Sequence, residues 1–400
     1  MCTMSKKVMV IALAVMAAAI ASSSSVLENG FVGDDRYLVV ENPVLAKNAP
    51  WSDVLAGHWA SGSNNGFEKR MNAGYYRPVT TAALRLQKRL FGESPFGYHA
   101  VNLGLHVFVC LLVFLLALEI APLGAAAIAG IAFAIHPVHV EPVAAVSYQT
   151  TLLCGLFVFS ALLVNAKGRF VRHEFSAREI ALPLLYACAL GAKEEGIVLL
   201  PLLLAYDVAI RREKLSVLFR ARYLALAAIA LGYLVLRARV AAPQGFTYFQ
   251  NETAYERIAT MVGVAGLYAR LLVFPHPLCP FYEWSILPPA HSLLEPFALF
   301  GLTASAIYAV ALAVAAVLAK KGAAKGMGKG ETARFALFAL AFVPVSLAPF
   351  SHAIPILNAA AERFLYMGSF GYALLLGLAG ERLLFGEGRI VRSLAAVSFG

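Results

Sequence analysis

The sequence predicts an all-α, multi-pass membrane protein built around a bundle of transmembrane helices. Of its 400 residues, 60% are hydrophobic and only 14% are charged, and the mean hydropathy is +0.72. Soluble chains are nearer half apolar and a quarter charged. The apolar residues also form repeated runs of about 20 residues, which is the length that a helix needs to cross a bilayer.

Three parts of the chain follow from these runs: a first transmembrane helix in 1–27, a large extracytoplasmic loop in 28–97, and a transmembrane bundle in 98–400. The predicted runs are 8–26, 100–120, 122–139, 147–166, 179–192, 196–210, 222–241, 292–319, 333–350 and 364–380. The N-terminal run also fits a secretory signal peptide, because two lysines precede it and serines follow it. We favour a retained anchor, since so many spans follow.

Two other features of the runs lead to expectations. The runs 179–192 and 196–210 are short and are predicted to form a tight hairpin. The last residues, "SLAAVSFG", fall in the middle of a further apolar run, so the chain is expected to be incomplete at its C-terminus.

The orientation follows from the basic residues in the short loops, which are enriched on the inner side of a membrane. With the N-terminus inside, most of the Lys and Arg residues next to the spans lie inside. The net charge of +10 is therefore a topology signal, and no nucleic-acid partner is predicted. A crossing at 258–274 would place the basic segment "KKGAAKGMGKG" outside, against this enrichment of basic residues on the inner side. We therefore predict an interfacial or re-entrant helix for this run, on the outer face.

The loop 28–97 is too rich in aromatic and apolar residues to be a disordered linker. Its segment "YYRPVTTAALRLQKRLFG" predicts an amphipathic helix on the membrane surface, with Pro78 in the first turn. An ordinary surface helix is the alternative. Near its start the loop also carries Asp34 and Asp35, which fit either a solvated polar turn or an acid pair with a function.

The segment "HPVHVEP" contains His136, His139 and Glu141. Its spacing is not a usual zinc spacing, and Pro137 and Pro142 disfavour a helix that presents both histidines. No metal site is predicted. The segment is either a polar turn between two spans or the carrier of a second acid, Glu141, that faces the aspartate pair.

Further polar residues occur near the predicted outer ends of the spans. His99, Asn102 and His106 share one helix face and should point into the bundle, where a structural hydrogen bond explains Asn102 as well as catalysis does. Lys193, Glu194 and Glu195 lie at the hairpin tip, where an exposed ion pair would be worth less than about 1 kcal/mol. An arginine at a membrane boundary can extend its charged end to water or hold a lipid phosphate.

Several blocks resemble a known family when they are taken in order: "NGFVGDD", "YYRPVTTAALRLQKRLFGESPFGYHAVNLGLH", "HPVHVEPVAAVS", "AKEEGIVLLPLLLAYD", "RLLVFP" and "ERFLYMGSFGYALLLG". They are similar to the transmembrane and TPR-repeat family of O-mannosyltransferases and its prokaryotic relatives, within the C-type glycosyltransferases that use lipid-linked sugars. The resemblance covers about 28–380.

The resemblance implies a C-type glycosyltransferase bundle with its active site on the lumenal or periplasmic side, and it makes 28–97 the catalytic loop. The enzyme would move a sugar, usually mannose, from a polyprenyl phosphate to a protein Ser or Thr hydroxyl. The acid pair Asp34 and Asp35 would contain the catalytic base, Glu141 would be the second acid, and Arg363 would bind the donor phosphate.

This chain departs from the family pattern at two places. Gly33 stands where the family usually has an aromatic residue, and "SYQTTLL" at 147–153 replaces an "SGR" segment that is followed by an acid. No 34-residue repeat is present in the sequence. The second departure leaves the specificity for donor or acceptor open.

The hypothesis is a metal-independent, inverting transfer with no cofactor, since the chain offers carboxylates and boundary arginines but no convincing metal cluster. The partners would be the lipid-linked sugar, a protein or glycan acceptor and the bilayer. Of the catalytic acids Asp34, Asp35 and Glu141, Asp35 is narrowly favoured as the base. The residues expected to bind the donor phosphate are Lys193, Arg237, Arg239 and Arg363. Supporting roles are predicted for Arg77, His99, Asn102, His136 and His139.

Two other functions and two locations remain open. A transporter or lipid flippase would need polar residues near the bilayer midplane and often inverted repeats, whereas the ionisable residues here cluster at one face. A non-catalytic membrane scaffold is the second alternative. The predicted location is the bacterial inner membrane, with the endoplasmic reticulum membrane as the alternative.

Overall fold

A computed structural model describes residues 5–56, 75–168, 177–240, 247–325 and 328–385. The α-helices of these residues are α1 (Lys6–Ser23), α2 (Trp51–Ala56), α3 (Pro78–Phe91), α4 (Pro95–Ile120), α5 (Leu123–Ala134), α6 (Val140–Ala144), α7 (Gln149–Lys167), α8 (Ala177–Ala192), α9 (Leu199–Ala209), α10 (Ala221–Val240), α11 (Ala254–Val273), α12 (Pro296–Lys325), α13 (Gly328–Leu347) and α14 (Leu365–Phe385). No β-strand occurs among the described residues. The predicted all-α fold is confirmed.

Seven helices in the described residues are long and apolar enough to cross a membrane. They are Lys6–Glu28, Pro95–Ile120, Val146–Lys167, Ala221–Val240, Pro296–Gly322, Gly330–Phe350 and Glu362–Leu384. An eighth span results if Leu123–Ala134 and Pro137–Ala144, which are bent by 49°, count as one. The chain is thus a multi-pass membrane protein, as predicted.

The two short runs at 179–192 and 196–210 form α8 and α9, of 16 and 11 residues. Neither is among the helices long enough to span. The 3₁₀ turn Glu194–Val198 joins them, and a Cβ on Gly196 would lie 2.6 Å from the Ala189 backbone, so the turn folds closely onto the end of α8. The helices then pack on different neighbours: α8 on α7 and α10, and α9 on α13.

The centre of the bundle is formed by α4, α5, α7, α13 and α14. Small residues let these helices approach closely. A side chain on Gly377 of α14 would clash with the Ala125 carbonyl of α5, and one on Gly371 would clash with the Ala339 carbonyl of α13. Close packing at these two glycines places α14 against α5 and α13, and the residues just before α14 belong to the site described below.

Helix α3 begins at Pro78, as the sequence predicts, and Pro78 occupies its first turn. Its buried face packs on α2 and α8, while Leu86 and Leu90 are 53% and 67% exposed. The fully buried Arg85 donates a 2.9 Å hydrogen bond to the Pro50 carbonyl and so connects α3 to the residue just before α2. The helix is amphipathic, as predicted. Its contact with a membrane surface remains a prediction.

Helix α11, which covers the run 258–274, is not among the seven spanning candidates. Ala361 donates its backbone N–H to the Tyr268 hydroxyl at 3.2 Å, and the His136 ring contacts the Leu272 carbonyl at 3.0 Å. Both partners lie in segments between helices at the same end of the bundle. These contacts agree with a helix that stays at one face, and its failure to cross remains a prediction.

Candidate functional site

A cavity of about 1000 Å³ opens beside the start of α14. Its charged lining consists of Arg77, Lys193, Arg237 and Arg363 together with Asp34 and Glu194. Its apolar lining includes Leu200 and Pro201 of α9, Leu234 of α10, Val345 of α13 and Phe350 just beyond α13. Residues predicted from distant parts of the sequence are therefore gathered around one space whose lining combines charged and apolar side chains.

The aspartate pair is split between two environments by the turn at Gly33. Gly33 has a φ of 52°, a left-handed conformation that favours glycine, which explains why an aromatic residue does not stand here. Asp34 lines the cavity. Asp35 is fully buried and accepts hydrogen bonds from the backbone N–H groups of Ser147, at 2.6 Å, and Val32, at 3.1 Å. Asp34 is thus the member of the pair that faces the cavity.

The surroundings of Asp34 raise the pKa of its carboxyl group. Burial is the largest cause, and the neighbouring Asp35 carboxylate adds to the rise. Arg363 and the Tyr148 hydroxyl, which donates to Asp34 Oδ2 at 3.3 Å, act in the opposite direction. A carboxylate with a raised pKa is a stronger base than an exposed aspartate, and this is the property that proton abstraction requires.

Glu141 and Arg363 form an ion pair with side chains that are only 8% and 10% exposed. Glu141 Oε2 accepts the Arg363 backbone N–H at 2.8 Å, and Oε1 accepts from the guanidinium. The second predicted acid therefore holds the predicted phosphate-binding arginine, and it is not itself among the residues that line the cavity.

Tyr148 connects Asp34 and Arg363, and its contribution was not predicted. Its ring lies under the Arg363 guanidinium, with 4.2 Å between Arg363 Cζ and the ring centroid, and its hydroxyl reaches Asp34. The only signal in the sequence was the departure at 147–153, where a charged pair is missing. The structure places a phenol where that segment meets the cavity.

Arg77, predicted as a supporting residue, forms a two-point ion pair with Glu194: Nε to Oε2 at 2.9 Å and Nη2 to Oε1 at 2.7 Å. Burial would raise the pKa of the Glu194 carboxyl, but Arg77 and Arg237 outweigh it and lower the pKa to about 2. Glu194 therefore stays ionised at neutral pH and orients Arg77 beside the cavity.

Lys193 is 5% exposed and its partner Glu195 is fully buried, so the local ion pair that the sequence offered at the hairpin tip is present but buried. Lys193 Nζ donates to Glu195 Oε2 at 2.5 Å and to Thr151 Oγ1 at 3.0 Å. Burial raises the pKa of Glu195 in spite of Lys193. The burial was not predicted, because it arises where the turn packs against α7, and no pattern in the sequence indicates that contact.

The two arginines at the end of α10, Arg237 and Arg239, point to different surroundings. Arg237 lines the cavity, whereas Arg239 is exposed and is not among the cavity residues. Two positions along a helix correspond to about 200° of rotation, so both side chains cannot face the same space. Arg239 is therefore not brought to the site, although it was predicted there.

The predicted supporting residues on α4 serve the packing of the bundle. Asn102 donates to the Val143 and Ala145 carbonyls at 3.1 and 3.2 Å and accepts from Gln149 at 2.7 Å. His99 contacts the Gly30 carbonyl at 3.3 Å. Both are fully buried, and neither lines the cavity. Asn102 is thus a structural hydrogen-bond centre, one of the two alternatives that the sequence left open.

His136 and His139 also lie away from the cavity. His139 is hydrogen-bonded to the Ser369 hydroxyl at 2.9 Å, and the backbone N–H of Val138 donates to His136 Nδ1 at 3.4 Å. No group of three or more His, Cys, Asp or Glu residues that could hold a metal ion is found within the described ranges. The two histidines connect α5 to its neighbours.

Comparisons with known proteins point to one group. No known family model matches the chain. The chain is 26% identical over 372 residues to Protein O-mannosyl-transferase F38B6.6 of Caenorhabditis elegans, covering 90% of this chain and 49% of that protein. It is 26% identical over 384 residues to Protein O-mannosyl-transferase TMTC3 of Homo sapiens, covering 88% of this chain and 40% of that protein.

A third relative, Protein O-mannosyl-transferase TMTC1 of Homo sapiens, is 30% identical over 194 residues, which cover 46% of this chain and 22% of that protein. The resemblance to O-mannosyltransferases drawn from the sequence blocks is confirmed by these relatives. The chain spans about half the length, or less, of the curated relatives that it matches.

Proposed function

We propose that this chain, which is similar over about nine-tenths of its length to protein O-mannosyl-transferases, is a membrane glycosyltransferase. It would move a sugar, with mannose as the first candidate, from a polyprenyl phosphate to an acceptor hydroxyl, with protein Ser or Thr as the first candidates. The observation that carries the proposal is the position of Asp34 in a cavity that combines cations with an apolar lining.

The mixed lining of the cavity supports a lipid-linked donor. Arginine guanidinium groups suit phosphate oxygens because their planar array of donors matches the phosphate geometry. Arg363, Arg77 and Arg237 would hold the phosphate. The apolar side chains of α9, α10 and α13 would accommodate the first part of the polyprenyl chain, as expected for pockets that bury much of their ligand.

Asp34 is proposed as the catalytic base in place of Asp35, because Asp35 is occupied by two backbone N–H groups. Asp34 would take the proton of the acceptor hydroxyl while that oxygen forms a bond to the sugar's anomeric carbon. The bond from this carbon to the phosphate oxygen breaks, and the phosphate leaves with the bonding electrons. An in-line displacement of this kind inverts the anomeric centre.

The leaving phosphate would be stabilised by fixed cations, which lower the barrier most where charge develops. Arg363 is fixed by Glu141 and Tyr148, and Arg77 by Glu194. Because these cations are already oriented, they would not need to reorganise during the reaction. We propose that the transfer needs no metal.

The site is proposed to lie on the extracytoplasmic side, as the charge distribution of the loops predicts. The relatives reported above are animal proteins and give no support to the predicted bacterial inner membrane. The endoplasmic reticulum membrane is therefore the location that we propose.

Incubating the purified chain in detergent with a serine- and threonine-rich acceptor peptide and radiolabelled mannose tests the donor class. The mannose is supplied either as polyprenyl phosphate mannose or as GDP-mannose, each with and without EDTA. We expect label on the peptide from the lipid donor alone, unchanged by EDTA. Transfer from GDP-mannose that EDTA abolishes would overturn the proposed donor and mechanism, and no transfer from either donor would favour a non-catalytic scaffold.

A further inference from the structure

A second pocket, of about 510 Å³, lies between α11 and α12 at the end of the bundle where α13 ends. Its apolar lining includes Ile258, Met261 and Val262 of α11. Its polar lining comprises Arg257, Ser305, Ser351 and His352. It shares no lining residue with the larger cavity, so it is a separate site that the proposed transferase reaction does not use.

Two buried groups in this pocket lack hydrogen-bond partners among the described residues. Arg257 Nε is buried without an acceptor, and His352 Nδ1 is buried without a donor. Arg257 forms no ion pair within the described ranges either. Its guanidinium lies 5.7 Å from the Phe249 ring centroid, a cation–π contact that provides no hydrogen-bond acceptor. Unmet polar groups of this kind cost free energy, so they point to a ligand.

The two groups require opposite hydrogen-bonding partners. His352 Nε2 lies 3.0 Å from the Asn358 carbonyl, and a carbonyl only accepts, so Nε2 carries the proton. Burial lowers the pKa of His352 to about 4, and Arg257 contributes to the lowering. The ring is therefore neutral at pH 7, and its Nδ1 is an acceptor. A ligand that satisfies both groups must offer an acceptor to Arg257 and a donor to His352.

The location of the pocket identifies the source of such a ligand. Helix α12 has its apolar side chains directed away from the protein, with Leu302, Ile307 and Val310 exposed by 46%, 66% and 63%. In a membrane-spanning helix these side chains face lipid. The pocket lies at the side of this helix, and Ser305 of α12 is part of its lining. A lipid that rests on α12 could therefore place its headgroup between α11 and α12.

We propose that this pocket binds a phospholipid whose headgroup carries a hydrogen-bond donor, with phosphatidylethanolamine as the representative. The phosphate oxygens accept from Arg257, and the primary ammonium donates to His352 Nδ1. The acyl chains lie along the apolar side chains of α11 and α12. Phosphatidylcholine has the same phosphate but no N–H or O–H group in its headgroup, so it satisfies Arg257 alone.

Native mass spectrometry of the full chain tests this proposal. The protein is released from micelles doped with equal amounts of phosphatidylethanolamine and phosphatidylcholine that have identical acyl chains. Loss of one neutral hydrogen bond corresponds to about fivefold in affinity, and loss of a charge-assisted bond to about tenfold or more. Because the ammonium donor is charged, we expect about tenfold preferential retention of phosphatidylethanolamine by the wild type.

In Arg257→Gln, retention of both lipids should fall by about tenfold. The matched control is Arg239→Gln, since Arg239 is another boundary arginine but lies outside the pocket, and it should behave as the wild type. Addition of sodium phosphate should not displace the lipid, because free phosphate has no acyl chains to bury. Displacement by phosphate would identify a site for free anions and overturn the lipid assignment.

Equal retention of the two lipids by the wild type, or no loss in Arg257→Gln, would also overturn the proposal. The comparison of lipids on the unmodified chain does not depend on any variant folding. If either contradicting result is obtained, Arg257 only extends its charged end toward water at the membrane boundary.

Discussion

Glu141 and Arg363, which are 222 positions apart in the sequence, are joined through both the backbone and the side chain of the arginine. The Glu141 carboxylate accepts the Arg363 backbone N–H at 2.8 Å with one oxygen and the guanidinium with the other. This contact connects the segment after α5 to the segment before α14. It also orients the guanidinium over the Tyr148 ring at the edge of the cavity.

Replacing Glu141 by alanine should destabilise the fold strongly, because Arg363 would keep its buried charge without a partner. Breaking a buried ion pair typically costs about 3–5 kcal/mol, and thermal unfolding of the purified protein measures it. Glu28→Ala, which removes an exposed carboxylate, is the control and should change little. The double variant Glu141→Ala/Arg363→Ala should lose less than the sum of the single losses. Additive losses would mean that the pair does not couple.

Asp35→Asn should act on stability rather than on chemistry. The Asp35 carboxylate accepts two backbone N–H groups, whereas asparagine offers one oxygen and turns an amide donor toward the other. We expect a loss of about 1–3 kcal/mol, the usual cost of an unsatisfied buried group, with substantial transferase activity in the folded protein. Unchanged thermal stability together with lost turnover would instead assign the base to Asp35.

The division of work between the two aspartates could not be read from the sequence. The position of the acid pair was predicted, but the direction of each side chain depends on the left-handed turn at Gly33 and on Ser147, 112 positions away. The membrane helices were predictable because runs of about 20 apolar residues indicate them directly. The burial of Lys193 and the contacts of Tyr148 were not, since they arise where distant segments meet.

Tyr148→Phe should move the acid limb of the pH–rate profile to higher pH. The Tyr148 hydroxyl lowers the pKa of Asp34 by hydrogen bonding to its carboxylate, so removing the hydroxyl raises that pKa. A base must be deprotonated to act, and activity would therefore be lost at a higher pH than in the wild type. The measurement is kcat/KM across pH 4 to 8. Phenylalanine keeps the ring under Arg363, so an unshifted limb would show that Asp34 is not the titrating base.

The predicted path of α11 can be tested with reporter cysteines, after replacement of the five native cysteines. Asn251→Cys precedes α11 and Lys321→Cys lies near the end of α12. If α11 stays at one face, only α12 crosses between them. A membrane-impermeant maleimide applied to sealed endoplasmic reticulum vesicles, whose cytoplasmic face is outward, should then label position 321 alone, and position 251 only after detergent is added. Protection of both positions until detergent is added would place a crossing in α11 and reverse the orientation of every later span.

The central claim is that Asp34 removes the acceptor proton in a cavity that holds a lipid-linked sugar phosphate. The most direct measurement compares turnover and donor affinity in Asp34→Asn and Arg363→Ala, with polyprenyl phosphate mannose and one acceptor peptide. Asp34→Asn should lower kcat by a factor of about 10²–10⁴, the usual contribution of general-base assistance, and leave the donor Kd nearly unchanged. Arg363→Ala should lower turnover and also weaken donor binding. Wild-type turnover in Asp34→Asn, with the protein folded and the donor bound, would contradict the account.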